Sequence, residues 1–226
     1  MQTAYALDDY LALSPFDRLR TYLDEPAANM IPTVEGGEPL VDLREVDTNR
    51  RLVFAPQMTD FRMRAGAALR LLQAADALHL LGYQLFILET LRPKAVQQQL
   101  FEDISRQCEA DYPDLDAAER YRLITQFIAD PYRSIPPHLT GGAVDLALMQ
   151  NQERVDMGSG VNALEERSHL LSEQIPPLAQ AQRRLLLLAM LQAGFAPMPS
   201  EWWHYSYGDG YWAAYAQQPQ AIYAQV

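Results

Sequence analysis

Three short segments carry the side chains best suited to hydrolytic or metal chemistry. The first runs His138-Leu-Thr-Gly-Gly-Ala-Val-Asp145. Imidazole and carboxylate are both zinc ligands, and a zinc enzyme needs three protein ligands plus one open position. The offset between His138 and Asp145 is odd, so a straight strand would aim them at opposite faces. Gly141 and Gly142 can bend the chain and bring them together. The competing reading is a capped loop histidine and a strand aspartate bonded to a turn. The second segment is Glu201-Trp-Trp-His204. Here a further imidazole lies close to a carboxylate that could serve as general base, and the paired tryptophans would exclude water and strengthen local electrostatics. The alternative is an aromatic edge strand with Glu201 and His204 in solvent. The third segment is Glu89-Thr-Leu-Arg92-Pro93. An arginine fixed at the end of a buried strand can donate to an oxyanion or a carboxylate. It can equally pair with Glu89.

Composition narrows these options. Among 226 residues there are four histidines and one cysteine. One cysteine excludes an internal disulfide, an all-cysteine zinc site and a cysteine-ligated iron–sulfur cluster. Any metal site therefore draws on Asp or Glu. His79 sits in a helical pattern and His169 in an irregular stretch, and both are expected to be structural. Cys108, in the polar stretch SRQCEADY, is expected to be a surface or half-buried thiol without catalytic function. The 18 basic and 29 acidic residues give a formal charge of −11, which argues against nucleic acid or anionic membrane as a partner. The N-terminus shows no basic start followed by an apolar run, so the expected location is the cytoplasm. An exported location stays open if a leader has been removed. The longest apolar run, Leu185 to Leu191, is too short to span a bilayer. Oligomeric state is not legible in the sequence.

The elements that must position these residues follow from periodicity. We read helices over 8–23, 61–81, 93–109, 116–129 and 178–193, the last ended by Gly194. Residues 26–39 are rich in Pro and Gly and read as loop. Strands are expected over 83–89 and 143–149, and the aromatic run EWWHYSY is β-prone. Along 143–149, Val144, Leu146 and Leu148 share one face, and Ala143, Asp145 and Ala147 share the other. Without regular βαβ alternation the fold class is α+β. No repeat or linker divides the chain, so it reads as one domain, 1–226, with a core of about 60–210.

In order and spacing these segments resemble the zinc D-alanyl-D-alanine dipeptidases of the vancomycin-resistance type. The resemblance covers roughly residues 65–207. It rests on GYQLFILETLRPKAV, on the pattern HxxGxAxD, on MGSGVNALEERSH and on RRLLLLAMLQAGFAPMPSEWWHY. It implies a single α+β domain with a central antiparallel sheet flanked by helices. It implies one Zn2+ held by His138, Asp145 and His204. It assigns Glu201 as the base that takes a proton from the attacking water and passes it to the leaving amine. Arg92 would stabilise the oxyanion and contact the substrate. The implied substrate is D-Ala-D-Ala or a closely related short D-amino-acid peptide.

Three departures bear on specificity. The family commonly has Ser, a holder of the substrate carboxylate, where Pro136 stands. It has an Asp that pairs with the substrate amine where Asn162 stands. Its N-terminal Tyr-Ala-Thr…Asn-Phe segment is not recognisable in residues 41–57. Asn162 is thus a weakened candidate for substrate binding. The rival functions are a zinc D,D-carboxypeptidase or a dipeptidase with altered recognition of the substrate ends, and a zinc-binding module without turnover. The metal itself could be Fe2+ or Co2+, since ligand type alone does not fix it.

Overall fold

The structure, a computed structural model, describes residues 5–23, 25–125, 128–163 and 165–226. The chain opens with three short helices, α1 (Leu7–Leu11), α2 (Pro15–Arg18) and α3 (Glu25–Ala28). The single helix expected over 8–23 is broken because Ser14 and Pro15 restart it. The Ser14 hydroxyl caps α2 by accepting from the Asp17 backbone N–H, with Pro15 in the first turn. The loop expected over 26–39 is correct only after α3.

Strand β1 (Leu40–Asp42), helix α4 (Leu43–Val46) and strands β2 (Leu52–Phe54) and β3 (Arg62–Arg64) follow. The long helix α5 (Ala65–His79) then begins later than the periodicity suggests, because 62–64 pair with β1 instead. Gly82, at φ +83°, turns the chain into β4 (Gln84–Glu89). Helices α6 (Lys94–Asp111) and α7 (Ala117–Ile124) form a side layer. The helix expected over 116–129 ends early, and positions 126 and 127 lie outside the described residues. Cys108 is not a surface or half-buried thiol. It is 6% exposed and packs with Ile124 and Ile128, because it lies on the face of α6 that meets the α7 segment. Then come β5 (Ala143–Gln150), β6 (Glu153–Arg154), α8 (Pro177–Gln192), β7 (Ala196–Met198), β8 (Glu201–Ser206) and α9 (Gly210–Tyr215). No helix among the described residues is long and apolar enough to cross a membrane.

The main sheet has the order β2-β4-β5-β8-β7, with β6 pairing to β5. Its pairs are antiparallel except β2 with β4, which is parallel. The fold is α+β, with helices against the sheet. The alternation in β5 separates two jobs. Val144, Leu146 and Leu148 are fully buried and join Leu71 and Leu78 of α5 and Leu186 and Met190 of α8 in the main core. Ala143, Asp145 and Ala147 face the other way, toward the candidate site. The aromatic tail folds back on its own chain. Tyr223 and Trp212 pack on Tyr207, and the Tyr211 hydroxyl donates to the Pro197 carbonyl of β7.

The corner before β5 is built from the two glycines. Gly141 takes φ +74°, which L side chains rarely adopt. A Cβ on Gly142 would stand 2.1 Å from the Tyr207 carbonyl oxygen, and neither backbone can yield cheaply. We therefore expect Gly142→Ala to displace β5 from the 207–208 turn and to destabilise the protein by at least ~1 kcal/mol. A thermal melt checks this, with an expected fall of about 2–4 °C or more for a chain of this size.

Candidate metal centre

Register places the site. Asp145 pairs across the sheet with Glu89 on one side and His204 on the other. Directly paired residues point to the same face, so Glu89, Asp145 and His204 form one row over three strands. A bulge at Leu88 makes the row possible. Ile87 pairs with Leu146, yet Glu89 rather than Leu88 meets Asp145. The extra residue turns the Glu89 carboxylate to the site face. The fourth member arrives from outside the sheet. His138 lies in a 3-10 turn (Pro137–Thr140), and the Gly141–Gly142 corner folds it back over β5.

Asp145 is the centre of this cluster. Its Oδ1 lies 2.9 Å from His204 Nδ1 and 3.2 Å from His138 Nε2. The two imidazole rings stand edge to face, 4.9 Å apart. All three residues are 5% exposed. One ligand atom from each lies within 4.8 Å of the others, the arrangement needed to hold a metal ion. The donor set is two imidazoles and a carboxylate, a combination that suits zinc and other divalent transition metals. The outer contacts fit as well. His138 Nδ1 is 2.7 Å from the Thr90 carbonyl, which makes Nδ1 the proton-bearing nitrogen and leaves the Nε2 lone pair facing the cluster.

Electrostatics follow from crowding these groups away from water. Burial opposes ionisation of Asp145, but His138 and His204 reverse this and hold its carboxyl far below the ordinary carboxylate range. Burial likewise pushes His138 down, yet Asp145 outweighs it and raises the imidazole above its usual value. Burial raises the Glu201 carboxyl, the His204 and His138 charges oppose that, and Arg92 adds to the opposition. Arg92 in turn feels Asp145 and Glu201. These five side chains therefore share one electrostatic neighbourhood.

Arg92 is found in an ion pair. Its Nε and Nη2 donate to the two Glu89 oxygens at 2.6 and 2.5 Å, and Nη1 donates to Gln97 Oε1 at 2.6 Å. That ion pair is the alternative role the sequence allowed. It uses three of the five guanidinium N–H donors, so one on each terminal nitrogen is left over for another acceptor. Glu89 stays ionised because Arg92 overcomes the cost of its burial.

The segment after β6 is braced against β8. Arg183, fully buried in α8, donates to the Met157 and His169 carbonyls and to Ser159 Oγ. Ser159 Oγ also accepts from Trp202 Nε1 at 3.0 Å. An open cleft of about 580 Å³ is lined by Ala147, Asp156, Ser159, Arg154, Arg167 and Trp202. Asn162 does not line it. That residue is exposed and sits in a turn at φ +59°. Pro136 is buried, and its carbonyl accepts from the Leu139 N–H. His79 is exposed on α5 and His169 is half-buried, both away from the cluster as expected. Sequence reasoning missed Thr90, Arg183 and Asp156. Thr90 acts through its backbone, which residue type does not report. Arg183 could have been noticed as a charge inside the most apolar helix.

The D-ala-D-ala dipeptidase family matches residues 47–223 of this chain. The D-alanyl-D-alanine dipeptidase of Synechocystis sp. (strain ATCC 27184 / PCC 6803 / Kazusa) is 30% identical over 215 residues, covering 81% of this chain and 87% of the relative. The D-alanyl-D-alanine dipeptidase of Escherichia coli (strain K12) is 33% identical over 125 residues, 55% of each protein. A vancomycin-resistance D,D-pentapeptidase, VanY, solved in complex with Zn(II), superposes with a TM-score of 0.44 and 18% identity over 74% of this chain and 84% of that one. With a family match over most of its length and a relative aligned over most of both proteins, this chain belongs to the D-Ala-D-Ala dipeptidase family of peptidases.

Proposed function

We propose that the protein is a zinc peptidase of a single catalytic domain, 1–226 with a core of about 60–210, that cleaves short peptides containing D-amino acids. D-Ala-D-Ala is the default substrate. The observation that carries this reading is the His138–Asp145–His204 cluster with Glu201 and Arg92 in the same electrostatic neighbourhood. One zinc ion per chain would be held by His138 Nε2, an Asp145 carboxylate oxygen and His204 Nδ1. Zinc there would polarise the scissile carbonyl and lower the pKa of water to about 7.

The chain's own groups then do the following. Glu201, half-buried at the start of β8, takes the proton of the attacking water and passes it to the leaving amine. Arg92 directs its two remaining N–H donors at the oxyanion, where charge develops only in the transition state. Glu89 and Gln97 hold the guanidinium plane, so little reorganisation is required. A pure zinc-binding module would have no use for a buried carboxyl at the position of Glu201.

The two departures in sequence favour altered grips on the substrate's ends. Pro136 has no side-chain donor, and Asn162 lies in an exposed turn. The acid that lines the cleft is Asp156, between Arg154 and Arg167. This supports a substrate whose termini differ from those of free D-Ala-D-Ala, such as a longer or blocked peptide, and with it a carboxypeptidase reading. Profiling dipeptides, N-blocked dipeptides and pentapeptides separates the two. Turnover of N-blocked substrates equal to or above that of the free dipeptide supports the altered reading, and preference for the free dipeptide rejects it.

Glu201→Gln is expected to lower kcat by about 10²–10⁴ while zinc stays bound. Arg92→Ala is expected to lower kcat/KM by about 10²–10³. Steady-state kinetics with metal analysis checks both, and unchanged turnover in Glu201→Gln would sink the assignment of the base.

Metal affinity should also depend on pH through His138. Its raised pKa means that the metal-free fold favours the protonated ring. That contribution is fully present below the unfolded value of 6.5 and is lost as pH rises through the folded value. The proton competes with the metal, so zinc affinity should climb as pH rises toward the raised folded value of His138 and level off above it, and binding below that value should release protons. Calorimetry in buffers of different ionisation enthalpy measures that release. The chelated protein should lose thermal stability over the same rise in pH.

A further inference from the structure

Two buried polar atoms next to the candidate centre have no hydrogen-bond partner, and they are complementary. One is His204 Nε2 and the other is Asp209 Oδ2. If His204 Nδ1 faces a metal, the neutral ring carries its proton on Nε2, which makes that atom a buried donor. A buried donor and a buried acceptor left unpaired each carry a cost of roughly 1–3 kcal/mol.

Asp209 lies on the right side of the strand to meet His204. Its Oδ1 accepts from the Ser206 hydroxyl at 3.2 Å and from the Trp212 backbone N–H at 2.7 Å. Ser206 pairs with Ala143 and His204 with Asp145 in regular register. Ser206 and His204 therefore share a face of β8, and the carboxyl tied to Ser206 lies on that face. Trp203 Nε1 and Tyr205 OH are also unpaired, but alternation points them to the opposite, helix-covered face. Burial pushes the Asp209 carboxyl up, while the charges of His204 and His138 pull it down, so both rings are within electrostatic reach. The cap of α9 requires only Oδ1, and Asn or Ser caps a helix about as well. Capping leaves the second carboxylate oxygen unexplained.

We propose that Asp209 is a positioning residue for the metal ligand His204: its free oxygen receives the Nε2–H of that ring through one bridging water and so fixes Nδ1 as the ligating nitrogen. No direct hydrogen bond joins the two atoms, and one bridging water would satisfy both. The pair then forms a carboxylate–histidine–metal relay of the kind that orients ligating imidazoles. The inference rests on the metal reading of His204.

The test uses Asp209→Asn in the full chain. This substitution keeps the capping oxygen but presents an amide N–H₂ to the ring N–H. Zinc affinity, measured by competition with a chromophoric chelator, is expected to fall about 10–100-fold. The melting temperature of the metal-free protein should stay unchanged. Asp209→Ser, which also caps, should behave the same way. In zinc-loaded wild type, ¹⁵N NMR should show a protected His204 Nε2–H proton that exchanges faster in Asp209→Asn. Wild-type zinc affinity and an unaltered Nε2–H signal in Asp209→Asn would overturn this inference and leave the metal reading standing. Loss of affinity matched by loss of metal-free stability in both variants would assign Asp209 to the fold alone and overturn it too. Absence of zinc binding by the wild type would remove the metal reading itself.

Discussion

An ionised carboxylate sits near the middle of the sheet, between two imidazoles, and much of the structure answers to it. Taking such a charge out of water costs several kcal/mol unless partners compensate. Asp145 has those partners in His138 and His204, which hold it ionised despite its burial. The same compensation raises His138 above its usual value. A site of this kind cannot be repacked at small cost. Removing either histidine would leave a buried charge half paired.

The sheet pays for precision at this point with three irregularities. The bulge at Leu88 brings Glu89 into the row of Asp145. A second register shift, between β7 and β8, falls where Glu201 begins β8. The Gly141–Gly142 corner returns His138 to the strand it has just entered. On the opposite face of β5 the pattern is regular, and Val144, Leu146 and Leu148 pack against α5 and α8 without interruption. One strand thus carries a rigid core on one side and the reactive row on the other. Asp145 and His204 thus take their placement from strands held by core packing, and only His138 is placed by a turn.

Much of this was legible in the sequence, for identifiable reasons. The β5 alternation and the odd offset from His138 to Asp145, with glycines between, predict a folded-back turn, and the structure contains one. The order of the segments carried the family. Illegible features were those that depend on pairing or on backbone. The 62–64 stretch reads as helix until β1 is available to pair with it. The helix over 8–23 fails because Ser14 and Pro15 act as a start signal inside an apolar pattern. Thr90 supports His138 through a carbonyl that any residue carries. Asp209 reads as a plain capping residue, since only the three-dimensional position of its second oxygen sets it apart. Cys108 looked polar in its neighbours, but helical spacing turns it inward to Ile124.

The two positions that depart from the family pattern, Pro136 and Asn162, lie outside the strands. Asp145 and His204 are tied to sheet register, and His138 is set by the Gly141–Gly142 corner. Asn162 lies in an exposed turn, outside the buried core. Pro136 makes a different trade. With Pro137 it fixes the backbone φ of two consecutive residues immediately before His138, and its carbonyl closes the turn by accepting from Leu139. A serine there would give a hydroxyl for a ligand and a looser approach to the metal-facing ring. The proline has no such hydroxyl and stiffens the approach to His138. Pro136 and Asn162 thus lie off the sheet, whereas Asp145 and His204 lie within it.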